Sequence, residues 1–284
     1  MAVSVVSEKC DEPKAMFRVH RRAPNWRPTH TFTLCPAPLN REYSKLGELL
    51  QYIEVNGLFG ADHFLLYNNS ISDKLVPYLD YYIRQGKVEV LNWQMPINVK
   101  QGPGNEIHYF GQVIAQSECF YRAMMTSRFV LSLDMDEVIV PMRNSNWSSI
   151  IDKHGEAAVY VFRNTFFRKE WSQNQKFADH KMMQKYPIDA LLYTRREKTI
   201  WGAGARSKYI ARPEMVNMAG IHDAFLLEPG ARRVTIPTSD GLLAHYRDWE
   251  DYREQPKEDE ARMHDFSEAI LKRVAFIDSV VQNG

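Results

Sequence analysis

Short apolar runs along this chain alternate with longer stretches in which apolar residues return every three or four positions, the pattern of strands followed by amphipathic helices. Residues 31–35 read as a strand, and Leu46, Leu49, Leu50 and Ile53 share one face of a helix over residues 42–57. Residues 63–67 form the next apolar run, closed by Asn68-Asn69-Ser70. A helix over 73–85 carries Leu75, Val76, Leu79 and Ile83, Gly86 stops it, and 87–91 is a short strand. Gln101-Gly102-Pro103-Gly104 breaks the chain before a long helix from about His108 to Thr126. Three β-α units thus precede the apolar run that starts at Phe129.

That order predicts a mostly parallel sheet with helices on both faces and ligands at the carboxyl ends of the strands. The second half changes character. Strand-like runs at 159–163, 190–193, 207–210, 234–236 and 242–245, separated by turns, predict antiparallel or mixed pairing. A helix rich in Phe266, Ile270, Val274, Ile277 and Val281 closes the chain. The division that results is a loosely ordered extension over 1–28 and one domain over 29–284.

The chemistry concentrates where the strand from Phe129 meets Asp134-Met135-Asp136-Glu137 and then resumes as Val138-Ile139-Val140. In extended backbone, residues i and i+2 point the same way, so Asp134 and Asp136 face one side together. Such a pair holds a hard cation, Mn²⁺ or Mg²⁺, beside a substrate's phosphate oxygens. Aspartates at strand ends also serve as turn formers, and the pattern alone does not separate the two roles.

Composition narrows the partners. Lys plus Arg number 36 against 35 Asp plus Glu in 284 residues, so the net charge of +1 gives no general case for nucleic acid or an anionic membrane. No stretch approaches the roughly 20 apolar residues that span a bilayer, and the first 28 lack a signal-peptide core, so the chain as given reads as soluble. Cys10, Cys35 and Cys119 leave at least one thiol unpaired and none has zinc-ligand spacing; Cys35 and Cys119 fit either one bridge or two buried thiols. Asn68-Asn69-Ser70 and Asn146-Trp147-Ser148 are glycosylation sequons, of use only in the secretory pathway.

The segments Phe32-Thr33-Leu34-Cys35-Pro36-Ala37-Pro38, Ile107-His108-Tyr109-Phe110-Gly111-Gln112, Leu133-Asp134-Met135-Asp136-Glu137, Tyr160-Val161-Phe162-Arg163-Asn164, Arg206-Ser207-Lys208-Tyr209, Gly220-Ile221-His222-Asp223 and His245-Tyr246-Arg247 resemble, in order, glycosyltransferase family 92. The resemblance implies an α/β, GT-A-like fold, a Rossmann-like, mostly parallel sheet flanked by helices with a smaller mixed or antiparallel second half. It further implies an inverting transfer of a hexose, usually galactose from UDP-galactose, onto a glycan hydroxyl, with Mn²⁺ or else Mg²⁺. Members are type II Golgi membrane proteins, and the expected anchor is not found in these residues.

By the same resemblance Asp136 binds the metal directly, Asp134 meets the ribose or reaches the metal through water, and His245 completes the metal shell, with His222 as its competitor. Inversion needs a base near the acceptor hydroxyl, and Asp223 and Glu137 are the carboxylates available. Asp223 sits in a loop, whereas Glu137 points away from the metal pair and braces it. Arg206 and Lys208, two apart in a strand, and Arg247 offset the diphosphate charge. Asn68 and Gln112 read uracil or ribose edges, or act as caps. Two other classes compete: a haloacid dehalogenase-type phosphatase, whose nucleophilic aspartate normally follows the first strand rather than the fourth, and a non-catalytic glycan-binding protein on the same fold.

Overall fold

A computed structural model describes residues 2–9, 11–13, 15–19, 25–95, 107–249 and 254–283. The break expected at 101–104, and Cys10, lie outside them. Strands β1 (His30–Cys35), β2 (His63–Asn68), β3 (Val88–Asn92) and β4 (Ser127–Ser132) run parallel in the spatial order β3-β2-β1-β4. The strands carry apolar residues on both faces because both faces are covered. Phe64 and Leu66 of β2 enter one buried cluster, with Phe32 and Phe129, while Leu65 and Tyr67 enter another on the far side, with Val130 and Tyr209.

Beyond β4 the chain builds β5 (Glu137–Pro141), β6 (Val159–Phe162), β7 (Asn164–Arg168), β8 (Arg195–Glu197), β9 (Lys208–Ala211), β10 (Arg233–Thr235), β11 (Gly241–Arg247) and β12 (Lys257–Asp259). β9, β6 and β10 extend the first sheet past β4, with β9 antiparallel to both its neighbours. The others form a second, mixed sheet in the order β12-β8-β7-β11-β5. The run expected over 159–163 is the strand β6, and at Arg163 the chain changes sheets into β7, a strand the pattern did not predict.

The first helix, α1, starts at Leu46–Leu50, passes a π-helical turn at Gln51–Val55 and ends as Asn56–Phe59. It does not begin at Glu42, because Arg41 and Glu42 are left-handed, with φ of 56° and 52°. After α2 (Val76–Arg84), α3 occupies Gln112–Ala123 rather than starting at His108, since Tyr109, Phe110 and Gly111 are left-handed in succession. The run 190–193, expected as a strand, is instead a helical turn, Asp189–Leu192, fully buried. Periodicity cannot separate a buried strand from a buried turn over four residues, and the Gln51 side chain accepts the Ala190 N–H at 2.8 Å.

A disulfide joins Cys35, at the end of β1, to Cys119 in α3. Both sequon asparagines work locally: Asn146 accepts the Ser149 N–H at 2.9 Å as the cap of α4 (Trp147–His154), and Asn68 accepts the Ile71 N–H at 3.0 Å. Trp147 is itself buried and donates its indole N–H to Ile139 O at 2.9 Å. Among the described residues no helix is long and apolar enough to cross a membrane.

Candidate functional site

β4 leaves the first sheet at Ser132, and the chain enters the second as β5 at Glu137. Asp134 and Asp136 occupy the crossing. They lie in a turn, closed by a 3.1 Å bond from the Glu137 N–H to Asp134 O, rather than in extended backbone. Both still line one cavity of about 520 Å³ at the carboxyl end of β4, shared with Glu137, Gln112, His222 and His245. A cleft at this end of a parallel sheet is where the alternation of elements places a ligand.

Beneath the aspartates is a chain of charged contacts. The Lys208 ammonium, fully buried at the start of β9, meets Asp134 Oδ2 at 2.8 Å and Glu137 Oε2 at 3.2 Å. Glu137, also buried, accepts the Asp134 N–H at 2.9 Å and faces His245 Nδ1 through its other oxygen at 3.3 Å. His245 Nε2 lies 3.2 Å from Asp136 Oδ2, and Gln112 Nε2 donates to Asp134 Oδ1 at 3.2 Å. Register fixes this arrangement, since β11 pairs with β5 so that His245 stands opposite Glu137.

Burial opposes charge throughout the network. Burial pushes the Glu137 carboxyl up to about 7 against the pull of Lys208. Burial works equally against the Lys208 ammonium, yet Asp134 and Glu137 raise it above the ordinary lysine value. Burial would raise Asp136 and lower His245; the attraction between them wins, so Asp136 falls below and His245 rises above its usual range.

Two guanidiniums face the cavity from the side. Arg206 stacks on Trp201 at 5.0 Å and Phe166 at 5.3 Å, and Arg247 stacks on Trp249 at 4.7 Å. Neither is ion-paired to a carboxylate among the described residues, so both charges remain available to an anion. Lys208 is not: its ammonium is spent on Asp134 and Glu137. The shared-face expectation for Arg206 and Lys208 does not hold, because β9 starts at Lys208 while Arg206, with φ of 59°, lies in the preceding turn.

Two other residues singled out in the sequence do not line the cavity. Asn68 is occupied by its turn. Asp223 accepts the Ala224 N–H at 2.8 Å and pairs with Arg233 at 3.3 Å. Tyr43 and Glu48, joined by a 3.2 Å hydrogen bond and not singled out in the sequence, do reach it, as does Tyr109 of the segment Ile107 to Gln112. Their signal was the backbone. Tyr43 follows the left-handed pair Arg41-Glu42, and Tyr109 itself has φ of 40°, a conformation of about 1–3 kcal/mol that persists where surroundings impose it, often at binding sites.

A divalent cation fits part of this donor set. A carboxylate oxygen and an imidazole nitrogen 3.2 Å apart match two adjacent ligands of an octahedral ion, about 3 Å apart at metal–ligand distances of roughly 2.1 Å. Glu137 behind Nδ1 supplies the second carboxylate that commonly orients a ligating histidine. No group of three His, Cys, Asp or Glu among the described residues is arranged to hold an ion unaided, so the remaining positions fall to substrate oxygens and water.

Carboxylates, imidazoles and guanidiniums without a carboxylate partner among the described residues, gathered at the carboxyl end of a parallel sheet, define a protein built to take an anionic ligand in an α/β cleft. The chain belongs to glycosyltransferase family 92, whose model matches residues 30–275. It is 25% identical over 184 residues to the glycosyltransferase family 92 protein F13G3.3 of Caenorhabditis elegans, a match covering 61% of this chain and 34% of the relative. The chain thus spans about a third of that relative's length. Solved structures with a similar course include S. aureus TarS 1-349 with UDP-GlcNAc (TM-score 0.39, 14% identity, 87% of this chain, 66% of that one). Another is GalNAc-T7 with UDP, GalNAc and Mn²⁺ (TM-score 0.41, 12% identity, 78% and 45%).

Proposed function

We propose that this chain is the catalytic part of a metal-dependent, inverting glycosyltransferase that moves a hexose, galactose first, from its UDP donor to a glycan hydroxyl with formation of a β-linkage. The observation that carries the reading is the Asp136–His245 pair, 3.2 Å apart at the cleft with Glu137 behind the imidazole. Asp136 and His245 would hold the cation, and Asp134, fixed by Lys208 and Gln112, would present its carboxylate to the ribose or reach the cation through water. A cation held there would act as a Lewis acid on the departing diphosphate. Arg206 and Arg247 meet the same negative charge from the side, held in place by their aromatic stacks.

Residues 29–284 form the transferase unit in this reading, with 1–28 as an extension. In this reading the unit works in the Golgi, as the family resemblance implies, and the Cys35–Cys119 disulfide supports an oxidising compartment. Turnover of a panel of UDP-hexoses tests the function, with Mn²⁺ or EDTA and with a galactan oligomer or core-fucosylated N-glycan as acceptor. Transfer of galactose that EDTA abolishes is expected. Absence of UDP release from every donor would overturn the proposal.

A further inference from the structure

The base is the component of an inverting transfer that Asp223 does not supply from its place outside the cavity, paired to Arg233. Its neighbour is placed differently. His222 lines the cavity with Asp134, Asp136 and His245. Its Nδ1 is buried with no hydrogen-bond partner, which leaves Nε2 as the nitrogen presented to a ligand in the cleft.

The loop that carries His222 is built to hold it still. Ser207 Oγ donates to His222 O at 2.7 Å, and Tyr209 Oη donates to Gly220 O at 3.0 Å while accepting the Gly220 N–H at 3.2 Å. A Cβ at Gly220 would collide with Asp223 O and the Phe225 ring, so only glycine lets the loop close this tightly on itself. Ser207 and Tyr209 thus anchor both ends of the segment from Gly220 to His222, which sets the imidazole at the cavity.

We propose that His222, rather than Asp223, is the catalytic base that receives the acceptor's proton. This rests on the function proposed above. In the step, the acceptor hydroxyl oxygen forms a bond to the anomeric carbon, its proton passes to His222 Nε2, and the bond from that carbon to the diphosphate oxygen breaks. The electron pair leaves with UDP. The charged groups around the imidazole are Lys208 on β9, Asp134 in the crossing turn and Arg206 in the turn before β9. Burial and the two cations keep it below the ordinary histidine value, and so neutral and able to accept a proton at neutral pH.

The test compares His222→Gln, His222→Ala and Asp223→Asn for melting temperature, Mn²⁺-dependent UDP affinity and the rate of galactose transfer under saturating UDP-galactose. Both His222 variants should bind UDP as the parent does while transfer falls by roughly 10²- to 10⁴-fold. Added imidazole should restore part of the His222→Ala rate, which a purely structural role would not produce, and Asp223→Asn should stay within about twofold of the parent. In the parent, transfer should decline on the acid side as the imidazole takes a proton, a limb missing from the residual activity of His222→Gln. Near-parent transfer by either folded His222 variant, or a comparable loss in folded Asp223→Asn, would overturn the assignment while leaving the transferase reading intact. A parent protein that turns over no donor would remove both.

Discussion

Replacing Asp136 by asparagine is expected to leave the protein folded and to abolish manganese-dependent binding of UDP. The substitution keeps volume but deletes the charge that would hold the cation. Its backbone role, accepting the Tyr246 N–H at 2.9 Å, is untouched. The side chain is about one-third exposed, at 32%, so the lost contact with His245 contributes little to stability. Because loss of a supporting contact to a metal ligand already costs about 10- to 100-fold in affinity, loss of the ligand itself should exceed roughly 100-fold. Titration calorimetry of UDP with and without Mn²⁺ measures it directly. A folded Asp136→Asn protein whose manganese-dependent affinity equals the parent's would refute the metal assignment.

Lys208→Met acts on the opposite side of the same network and should show itself in stability. The ammonium is fully buried between Asp134 and Glu137, and methionine removes it at similar length. Two carboxylates then share a site, one of them buried, with no cation between them. Removing one partner of a buried pair typically costs about 3–5 kcal/mol. In a chain of this size that lowers the melting temperature by on the order of 10 °C.

The pH dependence has a definite sign. Glu137 already stands at about 7, above its unfolded value, through burial. Without Lys208 it is raised further, and a carboxyl whose folded value is raised favours the folded state more as pH falls toward its unfolded value near 4.3. The penalty should therefore be larger at pH 8 than at pH 5. Thermal melts at both pH values check this, and a variant that melts with the parent at pH 8 would show that the lysine is not an essential counter-charge.

Much of this site can be read without coordinates because its charges interrupt apolar runs. Asp134 and Asp136 follow Phe129-Val130-Leu131, and His245 follows Leu242-Leu243-Ala244; charges that interrupt apolar runs stand out as site candidates, although turn formation gives the same pattern. The parallel arrangement of β1 to β4 was legible for a similar reason, since helical and strand periods alternate cleanly there. What failed depended on backbone that periodicity does not encode. Arg206 and Lys208 share a face only if both are extended, and the left-handed Arg206 breaks that premise. Asp223 and His222 are adjacent in sequence, and only the seating of Gly220 against Tyr209 decides which one meets the cavity. Lys208 reads as a phosphate ligand until the β4–β9 pairing shows that it is enclosed.

The Cys35–Cys119 bond has a consequence for how the cleft responds to its surroundings. It ties the strand that runs into cavity residues Ala37 and Pro38 to the helix whose first residue, Gln112, holds Asp134. The residues it links are 84 apart, so by loop-closure entropy its loss would relax the unfolded chain by about 4–5 kcal/mol. Before global melting, the helix would be free to drift from the strand and Gln112 from Asp134. A mild reductant would then behave toward this protein as a remote inhibitor, raising the donor concentration needed for half-saturation while spectroscopic signs of folding stay intact. Material produced in a reducing cytosol should carry the same handicap, measurable as a higher KM for the donor that mild oxidation reverses.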